Sequence, residues 1–455
     1  MSEITHARLW RIAGPIVLSN ATVPLLGAVD TAVVGQMGTA APIGAVGLGA
    51  VILATLYWAF GFLRMGTSGL AAQAHGAGDA AERTAVLLRA LIVGLGAGLL
   101  LIGLQIALFA GAFALAPASA EVEGLTRQYL AIRIWGAPAT IALYAVTGWL
   151  IAVERTRAVF LLQLWINGLN IGLDLWFVLA LGWGVAGVAG ATLIAEWTGL
   201  AVGLWFCRDA FGPALRAAWA RIGDRVALIR MVAVNRDIMI RSVVLQACFT
   251  SFVFLGARFG DVTLAANQVL LQFLGILSYA LDGFAFAAET LVGQAIGARA
   301  VGEVRQAIRL SLIWTVAGGL VLGLAFLLAG PWLIDLMATD PAVRAEARAF
   351  LPWIAAAPIF GALAWAYDGI YIGALLTADM RRIMRAIARG SFSSTDSNSF
   401  SIAPIAASMR ASSAPLSPAG VSARASRRPL ARSSSCSALA RDHGVSGTMA
   451  CTWPQ

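Results

Sequence analysis

Apolar residues run through this chain in long, nearly unbroken stretches, parted by short Arg-bearing turns. A bilayer-spanning helix takes roughly 20 mostly apolar residues. Ten stretches meet that length: 9–36, 43–73, 86–115, 128–152, 158–181, 185–206, 228–256, 263–294, 307–330 and 351–376. The pattern predicts an all-α, polytopic transmembrane helical bundle. Glycine is frequent inside the stretches, which suits helices packed closely in lipid, where small residues let backbones approach.

The end of one such stretch occurs twice. Gly69–Glu82 reads GLAAQAHGAGDAAE and Thr290–Glu303 reads TLVGQAIGARAVGE. Gln73 then corresponds to Gln294, Gly76 to Gly297 and Glu82 to Glu303, at one offset of about 220 residues. Each copy closes the second span of its half. Repeated halves in a membrane protein predict two pseudo-symmetric lobes with a pathway between them. The first lobe is 1–207, with six spans; 208–225 is a linker with an amphipathic piece lying on the membrane surface; 226–389 is a second lobe in which only four spans are found.

Polar residues inside these spans need a reason, because a charge at bilayer depth is costly. Asn167, Asn170 and Asp174 are spaced to stripe one helical face. Two amides and a carboxylate in such a stripe can bind and release a proton or a cation, since burial favours the neutral form of a carboxyl. Bonding among themselves, to fix helix packing, is the plainer alternative. Asp30 lies in the first span. In the second lobe Asp282 and Glu289 are one heptad apart, and Asp368 stands in the tenth span; packing and function weigh evenly there. Glu196, four residues after Thr192, reads as a cavity-lining or helix-pairing group, and Tyr129 as a partner for a carboxylate of the fifth span. Pro15 removes a helical hydrogen bond about four turns before Asp30, which makes a static kink or a moving hinge.

The composition agrees with the membrane reading: 59% of the 455 residues are hydrophobic and 12% charged, with mean hydropathy +0.80. The formal charge of +9 resides entirely in Arg among the basic residues. It does not point to nucleic acid, because the Arg residues alternate from loop to loop instead of sharing a face. Arg8, Arg11, Arg83, Arg155, Arg157, the connection from Arg208 to Arg230, Arg299, Arg305, Arg381 and Arg382 fall on one set of loops. The other set is poor in Arg, with Arg344 and Arg348 as the exception. The positive-inside rule places the N-terminus and the linker in the cytoplasm. The four cysteines and three histidines show no metal-ligand spacing, and phosphate-loop, GxSxG and HExxH signatures are absent from the sequence. Neither an enzyme nor an ATP-driven pump is expected.

From about Gly390 the chain turns rich in Ser, Ala, Arg and Pro, without an apolar stretch long enough to span. A disordered tail over 390–455 would have this composition. So would a wrong-frame translation of a region encoding two further helices, and the four-span second lobe favours that reading.

Taken together, IAGPIVLSN, VDTAVVGQMG, NGLNIGLDLWF, VNRDIMIRS, LDGFAFAAETLVGQAIGAR and YDGIYIGALLTADMR resemble the multidrug and toxic compound extrusion (MATE) family, in its DNA-damage-inducible protein F branch. The resemblance runs from about Leu9 to Met384. It implies twelve helices in two six-helix lobes, a central cavity, and export of substrates in exchange for protons or sodium ions, with no other cofactor and no metal. It implies a first-lobe ion site matching Asp30, Asn170 and Asp174, joined by Tyr129 and Thr192, and a coupling bend at Pro15. Tyr129 and Thr192, with Asn167 of the stripe, are the candidates for the substrate cavity. Some relatives carry Asn in the later part of the fourth helix, where Tyr144 and Thr147 stand here.

The expected protein is therefore a monomeric antiporter of the bacterial inner membrane, in contact with lipid and handling amphipathic, often cationic organic compounds. A lipid-linked oligosaccharide flippase of the same superfamily is the rival. It would need Arg in the cavity, and only Arg64, Arg133 and Arg241 lie near membrane depth. A non-transporting remnant is the other alternative.

Overall fold

In a computed structural model of the chain, the structure describes residues 3–22, 29, 32–36, 40–116, 118–256 and 259–384. Asp30 and the whole of 385–455 lie outside the described residues.

Every regular element among the described residues is helical. The first half contains α1 (His6–Ala21), α2 (Ala40–Trp58), α3 (Phe62–Gly76), α4 (Ala80–Leu115), α5 (Ala120–Arg133), α6 (Ala137–Ala152), α7 (Thr156–Asp174) and α8 (Gly184–Phe206). The connecting helix is α9 (Ala214–Ile222). The second half contains α10 (Arg225–Gly256), α11 (Asp261–Gly297), α12 (Val301–Met337) and α13 (Pro341–Gly373), followed by a helical stretch over 377–384. Some spans are jointed. Short turns link α2 to α3 and α5 to α6, and α7 runs on through a π-helical turn at Leu175–Ala180. By length and composition, eight segments among the described residues can cross a membrane.

The helices run further than the apolar stretches. The stretch expected at 86–115 begins at Ala80, where Asp79 caps the helix by accepting from the Glu82 N–H. The stretch at 307–330 belongs to a helix of 37 residues. A helix crossing a bilayer does not stop at the hydrocarbon edge, because its backbone bonds and caps continue into the interface. Polar first turns such as Glu82–Arg83 are therefore helical although they are not apolar.

The linker helix α9 is pinned to the first half. Arg89 of α4, 3% exposed, donates to the Ile222 and Arg221 carbonyls. Arg221 in turn meets Asp79 at 2.7 Å. The exceptional arginines after α12 are also engaged: Arg348 pairs with Asp335 at 2.5 Å, and Arg344 donates to the Ala338 and Asp335 carbonyls.

The repeat reappears as backbone geometry. The turns ending α3, α6, α11 and α13 each place one residue at positive φ: Gly78 (71°), Glu154 (60°), Arg299 (57°) and Leu375 (54°). In each turn the next N–H reaches back five residues: Asp79 to Ala74, Arg155 to Leu150, Ala300 to Ala295 and Leu376 to Tyr371. This is the left-handed helix stop that satisfies last-turn carbonyls. Glycine occupies only one of the four positions, so three non-glycine residues carry the steric cost of a left-handed backbone. Helix crossings repeat as well. A Cβ added to Gly148 would lie 2.4 Å from the Arg64 carbonyl oxygen, and one on Gly369 would lie 2.1 Å from that of Ala285. The separations 148–369 and 64–285 equal that between Gln73 and Gln294.

Candidate functional site

Two polar clusters lie among the spans. The first is built on α7. Asn167, Asn170 and Asp174 are all buried, the last two fully. Asn170 Nδ2 donates to Thr192 Oγ1 of α8 at 2.9 Å, and that hydroxyl donates to the Val188 carbonyl at 3.0 Å. Asn167 accepts from Gln163 at 2.9 Å and donates to Thr22 Oγ1 at 3.0 Å, which ties α7 to the end of α1. The stripe therefore faces inward, and Thr192 is in contact with it. Tyr129 is buried on α5, and a Cβ on Gly49 would meet its ring at 2.5 Å, so α2 passes directly over it.

One turn further along α5, Arg133 forms a buried two-point pair with Glu196 of α8, at 2.7 and 2.9 Å. Glu196 is thus a helix-pairing group. Pro15 sits inside α1. It has no N–H to offer the Arg11 carbonyl one turn back, and Thr156 Oγ1 of α7 donates to that oxygen at 3.0 Å.

The second cluster gathers Asp282, Glu289 and Asp368 around one small cavity, also lined by Arg64, Phe286 and Ile372. Trp365 Nε1 donates to Asp282 at 3.0 Å. Arg241 of α10 pairs with Asp368. Arg64 comes from the first half, with its guanidinium 3.9 Å over the Phe286 ring and 3.7 Å from a Glu289 oxygen. That distance is an ion pair but too long for a hydrogen bond. Both Glu289 oxygens are buried without a hydrogen-bond partner among the described residues. Three carboxyl groups therefore share the neighbourhood of two guanidiniums.

The acids' arginine partners were not assigned from the sequence. The signal was present: charges of both signs at bilayer depth must find each other, because the alternative is an uncompensated charge in a low dielectric. Arg64, Arg133 and Arg241 each face a carboxylate, so none of the three offers a free guanidinium for pyrophosphate. Among the described residues, no group of three or more His, Cys, Asp or Glu side chains is arranged to hold a metal ion.

The profile of the MatE family matches this chain twice, over residues 15–176 and 238–388, once in each half. The chain is 38% identical over 388 residues to the DNA damage-inducible protein F of Escherichia coli K12, covering 84% of this chain and 83% of that protein. It is 31% identical over 313 residues to a probable multidrug resistance protein NorM of Deinococcus radiodurans, covering 66% of each. Its fold superposes on the outward-facing conformation of a multidrug resistance MATE family transporter with a TM-score of 0.78, at 17% identity, covering 90% of this chain and 93% of that one.

Proposed function

The chain belongs to the MatE family of multidrug efflux transporters, and we propose that within it the protein is a secondary antiporter coupled to protons or sodium ions. It is a membrane-spanning transporter and not an enzyme. Its substrates are amphipathic, often cationic organic compounds, exported across the inner membrane of a bacterium by a monomer whose N-terminus faces the cytoplasm. The observation that carries this reading is the pair of buried acidic clusters. Asp174 stands in an amide-rich stripe with Asn170 and Thr192, and three carboxyl groups stand against two guanidiniums in the cavity beside Arg64. In that cavity three carboxyl groups against two guanidiniums leave negative charge that a proton, a metal cation or a cationic substrate can meet in turn. Loading one then favours loss of another, which is the reciprocity that an exchanger needs.

Asp30 belongs to the same proposal through its place in the first span. In proteoliposomes that export a cationic dye against an imposed proton or sodium gradient, Asp174→Asn and Asp30→Asn each abolish coupled export while membrane insertion is retained. Near-normal coupled export by either variant refutes the ion-site assignment. Varying the two gradients separately identifies the coupling ion.

A further inference from the structure

The repeated Gln-Ala-x-Gly-Ala segment is absorbed by neither acidic cluster, and it lies where the two halves touch. A Cβ on Gly76 would stand 1.9 Å from the Gln294 carbonyl oxygen, and one on Gly297 would stand 2.0 Å from that of Gln73. Each glycine thus receives the backbone of the other copy's glutamine. Backbone atoms cannot swing aside, so only glycine permits this crossing of α3 over α11.

The glutamine side chains continue the exchange. Gln73 Nε2 donates to the Gly373 carbonyl at the end of α13, at 3.0 Å; Gln294 Nε2 donates to the Ala152 carbonyl at the end of α6, at 2.9 Å. Each amide oxygen accepts from an arginine of the opposite half: Arg230 on Gln73 at 2.9 Å, and Arg8 on Gln294 at 2.7 Å. All four bonds join one half to the other; the two glutamine–carbonyl bonds are equivalent by the repeat, and the arginine donors depart from that offset by one residue. They also place two guanidiniums beside helix C-termini, where a positive charge is favoured.

The two arms differ in one respect. Arg8 is 7% exposed and is held by Glu154 at 2.5 Å, with Arg11 on the second carboxylate oxygen at 3.2 Å. The residue equivalent to Glu154 in the second half is Leu375, so the Arg230 arm lacks that carboxylate. The segment before α1 strengthens the same side: the Ile4 N–H donates to Glu303 at 3.1 Å, and the Ile4 carbonyl accepts from Gln306 at 2.5 Å.

We propose that Gln73 and Gln294, with Arg8 and Arg230, form the gate that closes the transporter on its Arg-rich face, and that all four cross-half bonds break together when the cavity opens to that side. Glu154 makes the Arg8 arm the harder one to break. The glutamines are positioning residues: they touch no substrate, and they set which side of the membrane the cavity sees. A brace of this kind biases a two-state equilibrium without moving either polar cluster.

The test needs no transport, so it is separate from that of the antiport reading. Met65 lines the cavity. A Met65→Cys reporter is placed in the full chain with its native cysteines changed to Ser, and it is labelled with a membrane-impermeant maleimide. Inside-out and right-side-out vesicles present the Arg-rich and opposite faces respectively. Combining Gln73→Leu with Gln294→Leu raises labelling from the Arg-rich face about tenfold and lowers it from the other face. Should that variant fail to accumulate, Glu154→Gln leaves the four cross-half bonds in place and removes only the carboxylate that holds Arg8. It gives a smaller rise, about threefold, on the same face. Unchanged labelling of the intact protein from both faces, or an equal rise from both, overturns the proposal.

Discussion

At the scale of single residues, the costly groups are the buried charges, and their partners decide what each substitution does. Arg133 and Glu196 satisfy each other in two-point geometry with both side chains nearly excluded from the surface. Removing one partner strands the other, at a cost of about 3–5 kcal/mol, whereas replacing both with apolar groups of similar volume is close to neutral. Glu196→Ala therefore lowers the melting temperature in detergent markedly, and Arg133→Met combined with Glu196→Leu recovers most of the loss. A double variant as unstable as the single one would show that the pair is more than a mutually satisfied bridge. Glu154 makes a second prediction. Burial by itself would raise its carboxyl, but the hydrogen bonds and charge of Arg8, then Arg11, hold it below the usual carboxylate range, with His75 and Arg155 also near. As pH falls, the unfolded chain takes up this proton first. The stabilisation is thus complete above the ordinary value of about 4.3 and is lost only as pH falls through the lowered one. The melting difference between the wild-type chain and Glu154→Gln is accordingly the same at pH 7 and pH 5.5 and shrinks below about pH 4. A difference already gone at pH 6 contradicts the geometry.

At the scale of elements, α1 shows how one sequence rule becomes a structural decision. Pro15 predicts a bending point, and its rigidity depends on what meets the carbonyl that the ring leaves without a donor. Thr156 meets it. On the other side, Gly283 of α11 lies so close that a Cβ there would be 2.4 Å from Val17 and 3.1 Å from the Ala13 carbonyl. The proline turn is thus clasped between α7 of its own half and α11 of the other, and a hinge here would couple the halves. Pro15→Ala restores the helical donor and competes with Thr156. It slows transport more than it lowers expression, as read by export rate per unit of inserted protein. Equal loss of both quantities assigns the proline to folding alone.

At the scale of the whole molecule, the two halves share more than a motif. Helix stops, left-handed positions and close crossings recur at one offset, and the family profile matches once in each half. Gly148 and Gly369 are equivalent positions pressed against equivalent carbonyls. Gly148→Ala and Gly369→Ala therefore cost similar stability, about 1–3 kcal/mol each, measured as loss of melting temperature in detergent. A large effect at only one of them would confine the symmetry to the backbone trace. The glutamine exchange shares the repeat, but the buried charges do not: Arg64 corresponds to Ala285, and Glu154 to Leu375. The buried charges are thus placed where the repeated scaffold is broken.

The sequence by itself determined the membrane class, the one-face stripe on α7 and the existence of a repeat, because each follows from local periodicity or from the cost of a polar group in lipid. Of the ten apolar stretches it offered, eight correspond to helices among the described residues that are long and apolar enough to cross a membrane, and 9–36 and 228–256 do not. It also determined that Asp282 and Glu289 share a face, since a heptad brings a helix almost back to its starting direction. The tertiary structure decided which charges pair, because Arg64 and Glu289 are more than two hundred residues apart and no local rule links them. It made Glu196 a bridge partner and gave Pro15 its Thr156 clasp. It also turned the duplicated Gln and Gly from a sign of ancestry into a reciprocal crossing. Partner choice across a bundle is set by which helices touch and at what depth, and contact between distant segments is settled only when all the helices pack at once.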